Sequence, residues 1–291
     1  MLLNKRQFLS LSAGMAAALA TGSAHAQTGK PVRLGYAPWT DAEFITKLAA
    51  KLIESRLETP VELVQTDVAP LYQGVMRGDL DAVLMCWLPK THRDYWKRAE
   101  GKVERLGQIY TGKMGLAVPT YVPESEVASI PDLTKPGVRD RMGGRIQTIE
   151  PGAGMTRLVH ETVKAYGLDY SVQESGEAGM LTMLQRAIRS EDWIVFSGWN
   201  PHWMFTKFEL RYLDDPKLGM GEEEKIIGAG RLGLREERPE VAGFLSRLSM
   251  PLKELEQAML KVQEENAEAA VADYIATHPE RVAGWFGKTA G

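Results

Sequence analysis

The 291-residue chain is 44% hydrophobic and 25% charged, enough to build a packed core in one large or two medium domains. Its formal net charge of −3, with no basic stripe, excludes the electrostatic footprint of a nucleic-acid binder. The only cysteine is Cys86, which excludes an internal disulfide; in an apolar run beside Trp87 it reads as an inert buried thiol.

Residues 1–26 read as a signal peptide. Lys5 and Arg6 form a short positive region, Phe8 to Ala20 an apolar one, and Ala24-His25-Ala26 a small-x-small cleavage pattern. No cysteine stands directly after the cleavage point, where Gln27 follows, and no other stretch approaches the roughly 20 apolar residues of a membrane span. The expectation is an exported, soluble, periplasmic protein.

Val32–Ala37 is a predicted strand. Thr40-Asp41-Ala42-Glu43 matches a capping box with Thr40 as N-cap, and Phe44, Ile45, Leu48, Ala49, Leu52 and Ile53 then recur at helical spacing. Val61–Gln65 is a strand, Pro70 to Met76 a short helix stopped by Gly78, and Ala82–Cys86 a third strand ending at Trp87 and Pro89. A helix begins near Asp94. Met114–Val118 is a strand entering a proline-rich crossing. A second α/β unit follows: strand Arg145–Ile149, tight loop Pro151-Gly152-Ala153-Gly154, helix Met155–Tyr166 ended by Gly167, strand Val172–Ser175, helix Ala178–Ile188 and strand Trp193–Ser197. Arg211–Leu213 and Ile226–Gly230 are further strands, and from Pro239 the pattern is helical, with Leu252, Leu255, Met259 and Val262 forming an apolar stripe. Strands and helices alternating over short connections predict an α/β fold of two lobes, each a mostly parallel sheet flanked by helices. The first lobe is expected from 30–118 and 226–291 and the second from 119–225, with a ligand cleft between them.

No nucleophile elbow, H-E-x-x-H or phosphate-loop pattern occurs. His92, His160, His202 and His278 are not spaced with cysteine or carboxylates as zinc ligands are. No cofactor or metal is expected, and nothing positive marks an enzyme. The aromatic pattern says more. Trp39, Trp87 and Trp199 each follow an apolar run, and ligands of open α/β sheets sit at the carboxyl ends of strands. One tryptophan there is commonly core packing; three suggest a shared pocket. A quaternary ammonium has charge but no N–H, so aromatic faces bind it through cation–π attraction. The Gly152–Gly154 loop opens a helix whose first amides suit an anion, and His92 offers a further N–H; a plain turn and a capping histidine are the alternatives. Aromatic box and anion nest together fit a small zwitterion.

Tyr36-Ala37-Pro38-Trp39, Cys86–His92 with Asp94-Tyr95, Met114–Pro119, Pro151–Met155, Gly198–Phe205 and Tyr212–Lys217 together resemble the glycine betaine/proline betaine-binding proteins of osmoprotectant ABC importers. The resemblance implies a type II periplasmic-binding-protein fold, Trp39, Trp87 and Trp199 around the trimethylammonium, and the Gly154 and Met155 amides with the His92 side chain on the carboxylate. It also implies a monomer that delivers its ligand to a membrane permease and its ATPase. Trp39-Thr40-Asp41 departs from the betaine pattern, since similar choline receptors place an aspartate there; Asp41 also suits the first turn of a helix. Choline or carnitine as ligand, or an exported enzyme acting on a methylated amine, are the competing expectations.

Overall fold

The computed structural model describes residues 29–287; the expected signal peptide lies outside them. In chain order the first elements are β1 (Val32–Tyr36), α1 (Thr40–Leu57), β2 (Val61–Gln65), α2 (Val68–Arg77), β3 (Ala82–Leu88), α3 (Arg93–Ala99) and β4 (Val103–Pro119). Then come α4 (Val138–Arg141), β5 (Arg145–Thr148), α5 (Gly154–Tyr166), β6 (Ser171–Glu174), α6 (Glu177–Ser190), β7 (Val195–Asn200), α7 (Met204–Lys207) and β8 (Leu210–Tyr212). The chain closes with β9 (Glu224–Arg231), α8 (Leu234–Glu237), α9 (Pro239–Arg247), α10 (Leu252–Glu264), α11 (Ala267–Thr277) and α12 (Pro279–Trp285).

The strands run in the order β2-β1-β3-β9-β4-β7-β5-β6, with β8 also on β4. The βα units supply the parallel pairs, β1 with β2 and β3 and β5 with β6 and β7. β9 and β4 add the antiparallel pairs. Helices cover both halves, giving the two-lobed α/β fold expected from the pattern. β3 is apolar and buried along all seven residues, as a central strand covered on both faces should be.

β4 is the main surprise. Sequence reading found only 114–118, yet the strand runs for 17 residues. Val103 to Gly112 pair with β9; Lys113 to Ala117 pair with β7. One strand thus serves both sheets. Its first half lacks clean apolar alternation because the register shifts at Arg105/Gln108 and Gln108/Tyr110.

The predicted stops hold: Gly78 (φ 77°) and Gly167 (φ 64°) end α2 and α5 in the left-handed region, where glycine has no Cβ to clash. The predicted apolar stripe of α1 is buried, and the C-terminal helices return to it. Tyr274 of α11 meets Phe44 edge-on at 5.9 Å, and Lys47 pairs with Glu268 at 2.9 Å. In the α10 stripe Leu255 and Met259 are buried, but Leu252 is 41% exposed. The capping box is a correction. Trp39 occupies the N-cap position and Thr40 is the first helical residue, with no side-chain cap. Glu43 instead pairs with Lys47 at 2.7 Å.

Candidate functional site

Trp87 is the sixth residue of β3 and Trp199 the fifth of β7; both stand inside their strands rather than after them. Trp39 lies between β1 and α1. The three indoles line one cavity with Thr91, His92, Met114, Ile149 and Met155. Each indole is at most 5% exposed, so its face has little water to compete with. The predicted packing tryptophans lie elsewhere: Trp203 and Trp285 are buried in the core, Trp193 lies under the Arg141 guanidinium at 3.3 Å and Trp96 is near Arg105.

His92 is the polar end of this cavity. Its Nδ1 accepts the Trp87 backbone N–H at 3.2 Å, with the Tyr72 hydroxyl 3.3 Å away. Burial, helped by the Arg157 charge, pushes its pKa down to about 3. The ring is therefore neutral at ordinary pH, and with Nδ1 accepting, the proton is on Nε2. That Nε2 is buried and has no hydrogen-bond partner among the described residues. It is a donor aimed at an acceptor the protein does not supply.

The loop before α5 runs close by. Gly152 takes φ 87°, which only glycine adopts without strain, and its carbonyl accepts the Tyr95 hydroxyl at 2.7 Å. Gly154 opens α5 without lining the cavity. A Cβ on it would fall 2.2 Å from the Thr91 carbonyl oxygen, so this glycine lets the helix start pack against the Thr91–His92 turn. Met155, the next residue, does line the cavity. The first amides of α5 have no partner inside the helix, and no side chain caps them.

Asp41 is fully buried and accepts the Tyr110 hydroxyl, but it is not among the cavity-lining residues. Burial raises its pKa to about 6. Tyr110 in turn meets the Trp87 ring edge-on at 6.1 Å, which puts Asp41 behind the cavity wall.

Several contributors escaped the sequence reading. Glu150 accepts the Trp39 indole N–H at 2.8 Å. Glu177 accepts the Thr40 backbone N–H at 3.0 Å and its hydroxyl. Glu224 accepts Lys90 N–H, Thr91 N–H (2.9 Å) and the Thr91 hydroxyl, holding the turn that delivers His92. Gly112 of β4 is pressed on Trp87, where a Cβ would lie 2.5 Å from ring carbons. Among the described residues no group of three or more His, Cys, Asp or Glu could hold a metal ion.

Fold and cavity define a class: a two-lobed α/β binding protein with an indole-lined cleft and one free imidazole donor. The chain belongs to the family described as the substrate binding domain of the ABC-type glycine betaine transport system, which matches residues 30–277. It is 35% identical over 155 residues to the glycine betaine/carnitine transport binding protein GbuC of Listeria monocytogenes serotype 1/2a (strain 10403S). That match spans about half of each protein, 52% of this chain and 52% of the relative. Lactococcal OpuAC, in its closed-liganded conformation with glycine betaine, superposes with a TM-score of 0.81 at 34% identity, over 88% of this chain and 99% of its own. An ABC-transporter choline binding protein in complex with choline gives a TM-score of 0.80 at 28% identity, over 89% and 92% of the two chains.

Proposed function

We propose that this chain is the extracytoplasmic receptor of an ABC importer, binding glycine betaine or a closely related trimethylammonium zwitterion and delivering it to a permease and its ATPase. Trp39, Trp87 and Trp199 surround the ammonium, each face contributing up to about 2 kcal/mol of cation–π attraction when desolvated. His92 Nε2–H and the first amides of α5, at Gly154 and Met155, hold the carboxylate. The ligand bridges a first lobe (30–118 and 226–291) and a second (119–225), and so favours their closure. The passage of β4 from one sheet to the other supports a crossing inside that strand. The receptor binds as a monomer, needs no cofactor and performs no chemistry on its ligand. An N-terminal signal peptide exports it to the periplasm.

The observation that carries this reading is the pairing of three buried indoles with an unpartnered histidine donor in one cavity. Aromatic faces alone bind any quaternary amine; the lone N–H selects one that carries an anion. Titration calorimetry with glycine betaine, proline betaine, choline and carnitine tests it. The betaines should bind tightest and change the tryptophan fluorescence. A second reading, a choline receptor, is favoured by the buried Asp41 two residues after Trp39, and choline binding tighter than both betaines would install it. Turnover of a methylated amine without a transporter would replace both.

A further inference from the structure

The Trp39–Thr40 corner is tied to the opposite lobe by every polar group it presents toward that lobe. The Trp39 indole N–H donates to Glu150 and the Thr40 N–H and hydroxyl donate to Glu177, partners 111 and 137 residues away. Glu150 follows β5, and Glu177 is the first residue of α6; both strands and helices there belong to the second sheet's half. Glu177 is only 6% exposed, so it is not an incidental surface contact. It takes the place of the missing cap on α1, putting a negative charge where the first turn of an 18-residue helix offers unpaired N–H groups.

Glu177 also reaches the other wall of the cavity. His202 Nδ1 accepts the Met204 N–H at 3.0 Å, which leaves the proton on Nε2, and Nε2 donates to Glu177 Oε1 at 3.1 Å. The His202 ring meets Trp199 edge-on at 4.5 Å. A continuous path therefore runs Trp39–Thr40, Glu177, His202, Trp199, joining two cage walls that come from different lobes.

We propose that Glu177, seconded by Glu150, is a positioning residue that clasps the Trp39–Thr40 corner when the lobes meet and thereby brings the Trp39 and Trp199 walls into register. It touches no ligand. Its bonds to Thr40 exist only in the closed arrangement; with the lobes apart, both partners return to water. They add to closure, and closure sets the population able to bind both ends of the ligand. This rests on the functional reading above for the identity of the ligand, not for the geometry.

The test compares wild type with Glu177→Gln and Thr40→Val, which break the same contact from its two sides. Glutamine turns an N–H toward the Thr40 amide; valine removes the hydroxyl. Each is expected to weaken glycine betaine about 10-fold or more, the range of a lost charge-assisted hydrogen bond. Choline should weaken by the same factor, because the clasp contacts protein only. The loss should sit in faster dissociation, and the double variant should be no weaker than Glu177→Gln alone. Ligand-free thermal midpoints should be unchanged, which a merely structural role would not allow. Spin labels on Lys51→Cys and Arg189→Cys, both exposed, read the lobe separation directly, since the native Cys86 is buried. Variants with wild-type affinity, dissociation rate and label separation overturn the clasp while leaving the functional reading intact. If wild type binds no quaternary amine, the functional reading falls, and the ligand-free label distances alone decide: a short-distance population lost in Glu177→Gln supports the clasp, and identical distributions overturn it.

Discussion

Two segments on the first strands of the chain reach the cavity, Trp87–His92 and Trp39–Thr40, and their anchoring differs. The first is held from two sides. Its turn hangs on Glu224, at the start of β9, which pairs with β3 directly, and its imidazole is oriented by the Trp87 N–H only five residues away. Arg157 of α5 adds bonds to the Lys90 and Thr91 carbonyls at 2.9 and 3.1 Å. The second segment ends on Glu150 and Glu177. The Trp87–His92 turn is thus tied to β9 and α5 together, and the Trp39–Thr40 corner to the residue after β5 and the start of α6. Preorganised contacts cost no ordering on binding, whereas contacts made on closure draw on the binding free energy.

The contrast can be broken most forcefully at Trp87. Trp87→Ala removes an indole from the cavity and should weaken glycine betaine by about 100-fold or more, combining a desolvated cation–π face with lost apolar contact. Trp285→Phe, far from the cavity, should leave calorimetric affinity unchanged; similar small effects for both would dissolve the cage. His92→Ala should weaken glycine betaine about 10-fold or more, the value of a hydrogen bond to a charged group, and choline much less. Equal losses for the two ligands would remove the carboxylate assignment. Glu224→Ala strands two amides, at about 1–3 kcal/mol, and should lower the ligand-free melting midpoint by several degrees. An unchanged midpoint would mean that the Lys90–Thr91 turn does not depend on Glu224.

The smallest effects concern pH. Betaine affinity should stay flat between pH 5 and 8 as far as His92 governs it, because its ring gains a proton only near pH 3. Asp41 acts on stability instead. Burial lifts its pKa from 3.8 to about 6, so the folded state holds that proton more tightly than the unfolded chain. Its contribution is complete below about pH 4 and is lost as pH rises to about 6. Urea unfolding of wild type against Asp41→Asn should show the wild type losing relative stability across that window and holding level above pH 7; a constant difference would mean that Asp41 is not the group involved.

Much of this was legible in the sequence, and the failures share a cause. Trp39, Trp87, Trp199 and His92 announced themselves because a large aromatic beside an apolar run has few other places to go. The βα units and the return of the C-terminal helices followed from periodicity. Glu150, Glu177 and Glu224 did not show, because a carboxylate beside a turn or in a first helical turn reads the same whether it faces water or a partner more than 100 residues away. Thr40-x-x-Glu43 was misread for that reason: the local pattern is sound, but the hydroxyl is claimed by Glu177. The length of β4 was hidden by register shifts that spoil alternation. Gly154 lets α5 start against the Thr91 carbonyl, a close approach that no local pattern announces.

Gly112 sits where β4 leaves β9 for β7, and an added Cβ there would meet the Trp87 ring at 2.5 Å and the Asn200 carbonyl oxygen at 2.8 Å. The point where β4 changes partner is therefore in direct touch with an indole that lines the cavity. Even one methyl group at this position would displace the Trp87 ring or the β7 backbone.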